Sequence, residues 1–441
     1  MTRAAATVLV LLTMPAWPQA ERLGYPPEEF AARRQRMAAA LGGGTLMLFG
    51  ATSPQPGVRF RQDNDFYYLT GNESLNAVLV MEAPSGASHL FLPSLSASDV
   101  QYGGGNWLNE TDAARRHGFA AIRPLEDVHE FLARRRGVSG PGTLWLRLSE
   151  RDDVNHGRYD VALDTARRLR NPFAQALGED AARAASFRAQ YPSLELRDAT
   201  PHLDALRLIK SAREIEILRL NGRISAEAIV RAVRATSPGT YEYELEAEAT
   251  YWLLRRGAQG PAYPAIVASG PNGNQWHYER SDRRMQAGEL VVMDYGGSLD
   301  HLTIDITRTW PVTGQFTELQ RRAYDTALEA QKATIAAIRP GVPRETVKTI
   351  AEEVYRRRGF DPRHAYVGHY VGMSVHDVGD WTLPFQAGMV LAIEPIVDLP
   401  GQQLHVRVED TVLVTATGAE VLTGGAPKEV AELLALVGRA D

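Results

Sequence analysis

One stretch decides the fold: Leu290-Val291-Val292-Met293-Asp294-Tyr295-Gly296-Gly297-Ser298-Leu299-Asp300-His301-Leu302-Thr303-Ile304-Asp305-Ile306-Thr307. Residues 290–293 have the pattern of a buried strand, yet the run ends in Asp294. Beyond a glycine-containing turn, residues 303–307 read as a second strand. Alternation turns Ile304 and Ile306 one way and Thr303, Asp305 and Thr307 the other. Two strands joined through glycine suggest a hairpin. Folding it is expected to make Asp294 and Asp305 cross-strand neighbours on one face. Carboxylates rarely sit in an apolar sheet unless they are paired or bind a metal.

The same anomaly recurs downstream. Val390-Leu391-Ala392-Ile393 leads into Glu394, and the β-rich run Val406-Arg407-Val408-Glu409-Asp410-Thr411-Val412-Leu413-Val414 carries Glu409. Four carboxylates in apolar strands repel one another, and their ionised forms need a compensating cation. Arg407, two residues from Glu409 and expected on the same strand face, can compensate one of them. Histidines lie nearby: His369 and His376 in glycine-flanked segments, and His277 between Trp276 and Tyr278. One histidine and four carboxylates form a hard, oxygen-rich donor set. It suits Mn²⁺, Zn²⁺ or Co²⁺ in a two-metal site with bridging carboxylates. The other common hydrolytic and nucleotide signatures are missing from the sequence: no G-x-S-x-G, no H-E-x-x-H, no Walker loop and no strand-linked Rossmann glycine fingerprint.

Further outward, the 441 residues exceed what one hydrophobic core supports, about 250–300, so two domains are expected. Short apolar runs at 45–49, 76–81, 90–93 and 143–148 alternate with helical stretches at 26–41, 126–136 and 163–177. That alternation indicates an α/β domain over residues 21–200. Residues 201–441 then read as α+β: helices at 206–236, 242–256, 318–338 and 344–358, with strands after 266 and again at 389–414. The two halves of this second domain share an outline of helices followed by strands. A net charge of −5 is no footprint for nucleic acid, and the basic clusters at 134–136 and 167–170 read as solvated faces. The absence of cysteine excludes disulfides and thiolate chemistry. At the start, Arg3, an apolar stretch over 4–14 and Ala20 before Glu21 describe a secretory signal peptide at residues 1–20. The mature protein is then expected to be secreted or periplasmic, with no membrane association after cleavage.

At these residues the chain resembles the pita-bread metallopeptidases, the family of methionine aminopeptidase, creatinase, prolidase and aminopeptidase P. The resemblance rests on the blocks MDYGG, DITRTWPVTG, GHYVGMSVHDVG, AIEP and RVED. The stretch Arg61-Gln62-Asp63-Asn64-Asp65-Phe66-Tyr67-Tyr68-Leu69-Thr70-Gly71 is similar to the aminopeptidase P N-terminal domain. The resemblance implies a pita-bread catalytic domain and five metal ligands: Asp294, Asp305, His369, Glu394 and Glu409. It implies that Asp305 and Glu409 bridge two divalent ions, that a bridging hydroxide is the nucleophile, and that Glu394 shuttles the proton. His277 and His376 are implied to contact the substrate, and Arg407 to orient carboxylates. The implied activity is a Mn²⁺-type Xaa-Pro aminopeptidase, acting on peptides with proline in second position. The alternative is prolidase, which cleaves Xaa-Pro dipeptides. Self-association into a homo-oligomer stays open. One departure concerns specificity: the family commonly carries a histidine four residues before the metal-binding one, where this chain has Ala365, with His364 beside it.

Overall fold

The computed structural model describes residues 22–52, 59–139, 142–173, 178–366 and 368–439, and the expected leader at 1–20 lies outside them. The N-terminal domain is built on a six-stranded sheet. Its order is Ala121–Pro124, Ser88–Leu92, Val78–Ala83, Gly44–Phe49, Thr143–Leu146, Glu195–Asp198. The two central pairings are antiparallel and the outer three parallel. The two-residue period of a strand sorts its side chains. Leu46, Leu48, Leu79 and Met81 pack with Met37 and Leu41 of helix Pro27–Leu41. Met47, Val80, Phe91 and Leu144 face the other way, onto Phe131 and Phe187. Covered on both faces, this is the α/β layer expected of it.

Two helices differ from the sequence expectation. The one expected at 163–177 runs over Arg158–Arg168, and residues 174–177 lie outside the described ones. It starts early because Gly157 takes an extended cap conformation and Asp160 favours the first turn. The helix expected without a break over 206–236 is two, Thr200–Leu208 and Ala212–Ala235. Ser211 interrupts it with a capping box: its hydroxyl accepts from the Glu214 amide at 3.2 Å, and the Glu214 carboxylate accepts from the Ser211 amide at 2.8 Å.

In the C-terminal domain each half is a helix pair followed by a three-stranded antiparallel sheet. Ala212–Ala235 packs on Glu242–Arg255 ahead of the sheet Thr307–Pro311, Leu290–Asp294, Ile266–Ser269. Glu318–Ala337 packs on Arg344–Arg358 ahead of Val390–Ile393, Asp410–Val414, Ala419–Val421. No helix among the described residues is long and apolar enough to cross a membrane.

The decisive hairpin forms, with a different register. Leu290–Asp294 pairs with Thr307–Pro311, and Asp294 lies opposite Thr307 rather than Asp305. Residues 304–306 belong to no strand, because Leu302–Thr303 pairs instead with Gly297–Leu299 in a separate small sheet. The backbone crosses itself here: a Cβ on Gly296 would sit 1.9 Å from the Ile304 carbonyl oxygen. Asn221 of helix Ala212–Ala235 donates to the carbonyls of Gly297 and Leu302 at 2.8 and 3.1 Å. The peptide groups of Asp305 are taken up by Thr411 of the other sheet. The Asp305 amide donates to the Thr411 hydroxyl at 3.0 Å, and that hydroxyl donates to the Asp305 carbonyl at 2.7 Å. Asp305 is thus held between the two sheets rather than inside one.

Candidate metal centre

Four carboxylates and one imidazole converge where the two sheets meet, and all four acids are buried. Asp294 ends strand Leu290–Asp294, and Glu394 directly follows Val390–Ile393. Glu409 lies in the two-residue break between Leu404–Arg407 and Asp410–Val414, not inside a strand as expected. Its amide donates to the Thr307 carbonyl at 3.1 Å, and the Thr307 hydroxyl donates to its carboxylate at 2.7 Å. The break also separates it from Arg407, whose nearest carboxylates are Asp294 at 3.2 Å and Glu394 at 3.7 Å. Ligand atoms of Asp305, His369 and Glu409 all lie within 4.8 Å of one another. His369 Nε2 stands 3.2 Å from Asp305 and 3.5 Å from Glu394. The Tyr263 hydroxyl joins the two hairpin acids, 2.6 Å from Asp294 and 2.6 Å from Asp305.

The charges do not balance within the protein. A phenol has one proton, so Tyr263 can donate to only one of the two carboxylates it touches. His369 Nδ1 lies 3.1 Å from the Tyr370 carbonyl oxygen, an acceptor that requires a proton on Nδ1. A neutral ring then turns its Nε2 lone pair onto two carboxylates, which only a proton or a metal cation reconciles. Glu409 Oε1 is buried and has no hydrogen-bond partner among the described residues. Burial, then the charges of Asp305, Glu394 and Asp294, push the Glu409 carboxyl well above the usual range. Burial and the Asp305 charge raise Asp294 in the same way, against Arg407. Asp305 moves down despite its burial, through the hydrogen bond and charge of His369. Burial works against charge on His369, but Asp305 and Glu394 outweigh it and lift the ring to about 9. Arg407 and a protonated His369 neutralise at most two of four acids. The rest is a donor set shaped for divalent cations.

His277 and His376 stand at the mouth of this cluster. They line one cavity of about 300 Å³ with Asp294, Asp305 and Tyr263. The His376 ring lies 4.2 Å from that of His369, centre to centre. Burial, then Arg407 and His376, lower the His277 imidazole below its ordinary value. Arg407 also donates to the Trp276 carbonyl at 3.4 Å, which ties the His277 segment to the acids. His364 is not among the residues lining the cavity; it packs edge-on against the Trp276 ring at 4.7 Å, and Ala365 is buried. Two participants carried no usable sequence signal. Tyr263 sits in an unremarkable Ala262-Tyr263-Pro264 run. Asp160 of the N-terminal domain, 2.8 Å from His376 Nδ1, is separated from it by 216 positions.

Similarity to known proteins agrees with this geometry. Residues 216–416 match the model of metallopeptidase family M24, and residues 30–141 match that of the aminopeptidase P N-terminal domain. The chain is 30% identical over 457 residues to the Xaa-Pro aminopeptidase of Escherichia coli, spanning 93% of this chain and 97% of that protein. A Xaa-Pro dipeptidase of Pyrococcus furiosus is 38% identical over 224 residues, but these are 49% of this chain and 64% of the dipeptidase. Among solved structures, proline aminopeptidase P II from Yersinia pestis superposes with a TM-score of 0.76 at 28% identity, covering 93% of this chain and 99% of that one.

Proposed function

The chain belongs to the aminopeptidase P group of metallopeptidase family M24, with the pita-bread catalytic fold, and from that premise we propose that it hydrolyses the bond between an N-terminal residue and a following proline. It is a metallo-aminopeptidase; what is proposed is the metal pair, the roles of individual residues and the substrate. The observation that carries the reading is the unpartnered Glu409 Oε1 beside Asp305 and the fixed His369 tautomer. Asp294, Asp305, His369, Glu394 and Glu409 are assigned as ligands of two divalent ions. Mn²⁺ is the first candidate, and Zn²⁺ and Co²⁺ also suit the donors. When bound, such a pair supplies a hydroxide nucleophile at neutral pH and polarises the scissile carbonyl.

The chain's own groups do the rest. A bond to proline is a tertiary amide without the N–H that most peptidases grip, so the substrate must be held elsewhere. The free α-amine is assigned to the acid-rich end beside Asp294. The carbonyl side is assigned to His376 and His277. Glu394 would accept at its carboxylate the proton of the attacking hydroxyl and pass it to the proline nitrogen as the C–N bond breaks. Arg407 orients Asp294 and Glu394. Asn155, Leu163 and Asp164 of the N-terminal domain wall the same cavity, which favours release of one residue at a time. We place the division between the domains near residue 200. Export with loss of residues 1–20 is part of the proposal, to be checked by mass spectrometry of the mature protein.

The prolidase reading is weakened because the dipeptidase match covers 49% of this chain, whereas residues 30–141 match the aminopeptidase P N-terminal domain. Product analysis decides it, using a Xaa-Pro dipeptide, a longer Xaa-Pro peptide and the α-acetylated longer peptide, with and without Mn²⁺. The proposal expects metal-dependent release of the first residue from the longer peptide and none from the acetylated one. Turnover of the dipeptide alone makes the enzyme a prolidase.

A further inference from the structure

We propose that Asp160, contributed by the N-terminal domain, is a positioning residue that aims the His376 imidazole at the substrate. The inference rests on the role proposed above for His376. Asp160 Oδ2 lies 2.8 Å from His376 Nδ1. A ring held by a carboxylate at Nδ1 has its tautomer and its plane settled, and Nε2, on the opposite edge, is left for the cavity that His376 shares with Asp294 and Asp305.

The backbone around this contact is built to keep it. Val375 and His376 donate from their amides to the carbonyls of Val154 and Asn155, at 2.9 and 3.3 Å. Asp153 shapes the N-terminal partner by accepting from the amides of Asn155 and His156, each at 2.7 Å. The approach is so close that a Cβ on Gly157 would fall 1.9 Å from the His376 carbonyl oxygen. The first turn of helix Arg158–Arg168, which carries Asp160, is itself anchored: Arg158 bonds Asp65 at 2.9 Å, Asp152 at 3.2 Å and Asp204 at 2.8 Å. Asp160 therefore stands on a fixed base.

Asp160 is not needed to hold the domains together. Arg207 already bridges Asp377, at 2.6 Å, to Asp65 and Asp152 of the N-terminal domain, at 2.8 and 2.6 Å, and Ser374 donates to Asp152 at 2.9 Å, so the His376 loop is locked to that domain without Asp160. The Asp160 and His376 side chains stay partly open, at 29% and 37% exposure, unlike every member of that lock. A contact spared from the structural load and placed on the cavity wall is suited to orientation.

The test is a double-mutant cycle on the metal-loaded, full-length enzyme with a longer Xaa-Pro peptide. Asp160→Ala is expected to lower kcat about 10–100-fold, the size usual for loss of a group that orients a working imidazole. KM should stay within about twofold, with melting temperature and metal content unchanged. In a His376→Ala background the same change should cost nothing further, because the residue through which it acts is gone. Normal kcat in Asp160→Ala, an equal further loss in the His376→Ala background, or a loss that follows a drop in melting temperature or metal content overturns the inference. Normal activity of His376→Ala alone overturns the reading of His376 as well. Impaired His376→Ala with unimpaired Asp160→Ala removes Asp160 and leaves that reading standing.

Discussion

Two of the buried charge clusters in this molecule are built on opposite plans. At the domain junction Asp65 is met by Arg147, Arg158 and Arg207 at 2.9, 2.9 and 2.8 Å. Asp152 is met by Arg158 and Arg207 at 3.2 and 2.6 Å, and Asp377 by Arg207 and Lys210 at 2.6 and 3.2 Å. Each of these acids has its cation in the chain. In the candidate metal centre Asp294, Asp305, Glu394 and Glu409 share, among the described residues, only the cations Arg407 and His369. Burial of acid is common to both, so it does not by itself mark a site. What marks it is the missing counter-charge. A balanced network is finished when the chain folds, whereas an unbalanced one is completed by something from outside.

The contrast breaks down first, if it is wrong, at Asp305 and Glu409, the acids assigned as bridges. Asp305→Ala or Glu409→Ala should lower kcat/KM by on the order of a thousandfold or more, at least the cost of losing a principal transition-state contact. Metal analysis of the purified variants should show the pair lost. Near-normal turnover with metal below stoichiometry would falsify the two-metal reading.

At the junction the effect should fall on stability rather than metal. Removing one charge from a closed, buried network strands its partners, so Asp65→Asn should cost about 3–5 kcal/mol in urea unfolding, with metal content unchanged. Its acid sensitivity has a definite sign. Burial pushes the Asp65 carboxyl up, but Arg158, Arg207 and Arg147 outweigh it and hold it at about 2, below the ordinary 3.8. A depressed carboxyl stabilises the fold fully above about pH 4 and loses that contribution as the pH falls towards 2. The contribution, about 2 kcal/mol, should disappear from the pH profile of Asp65→Asn.

The opposite sign is expected in the centre. With metal stripped by chelation, Glu409→Gln removes a repelled charge. It should raise stability in urea unfolding rather than lower it, while abolishing metal binding. If both Asp65→Asn and metal-free Glu409→Gln destabilise alike, the two clusters do not differ in kind.

Much of the centre was legible because acid at the end of an apolar run is conspicuous. Asp294 and Glu394 stand at the strand ends where that pattern puts them. Asp305 and Glu409 were read as strand residues, yet each occupies a break. Periodicity cannot show this, since the residues that make the breaks, Thr411 for Asp305 and Thr307 for Glu409, are over 100 positions away. Distance also hid Asp160, 216 positions from His376, whereas Tyr263 lies only 31 and 42 positions from its two acids but in a run without pattern. In the fold, helices with clear stops were placed closely, such as Arg344–Arg358 before Gly359. The break at Ser211 escaped because apolar spacing continues across it while the capping box acts locally.

The smallest effect is expected at His364, which belongs to neither cluster. It stands beside Ala365, where the family commonly has a histidine, and a shift of one residue could in principle restore that contact. The geometry argues otherwise. His364 sits in the short helical turn Pro362–His364 and meets the edge of Trp276 at 4.7 Å and 80°. His405, bonded to Asp398 at 2.8 Å, flanks the same indole at 6.1 Å. The ring therefore supports Trp276, whose carbonyl receives Arg407. An edge-to-face pair of this kind is worth about 0.5–1.5 kcal/mol. His364→Ala should thus lower stability by no more than that and change kcat/KM by about threefold or less. The decisive measurement is the ratio of cleavage before proline to cleavage before alanine. An unchanged ratio leaves His364 a support for the tether and proline selection to other residues of the cavity. A collapsed ratio would mean that His364 swings into the site when substrate binds and takes over the part that Ala365 cannot play.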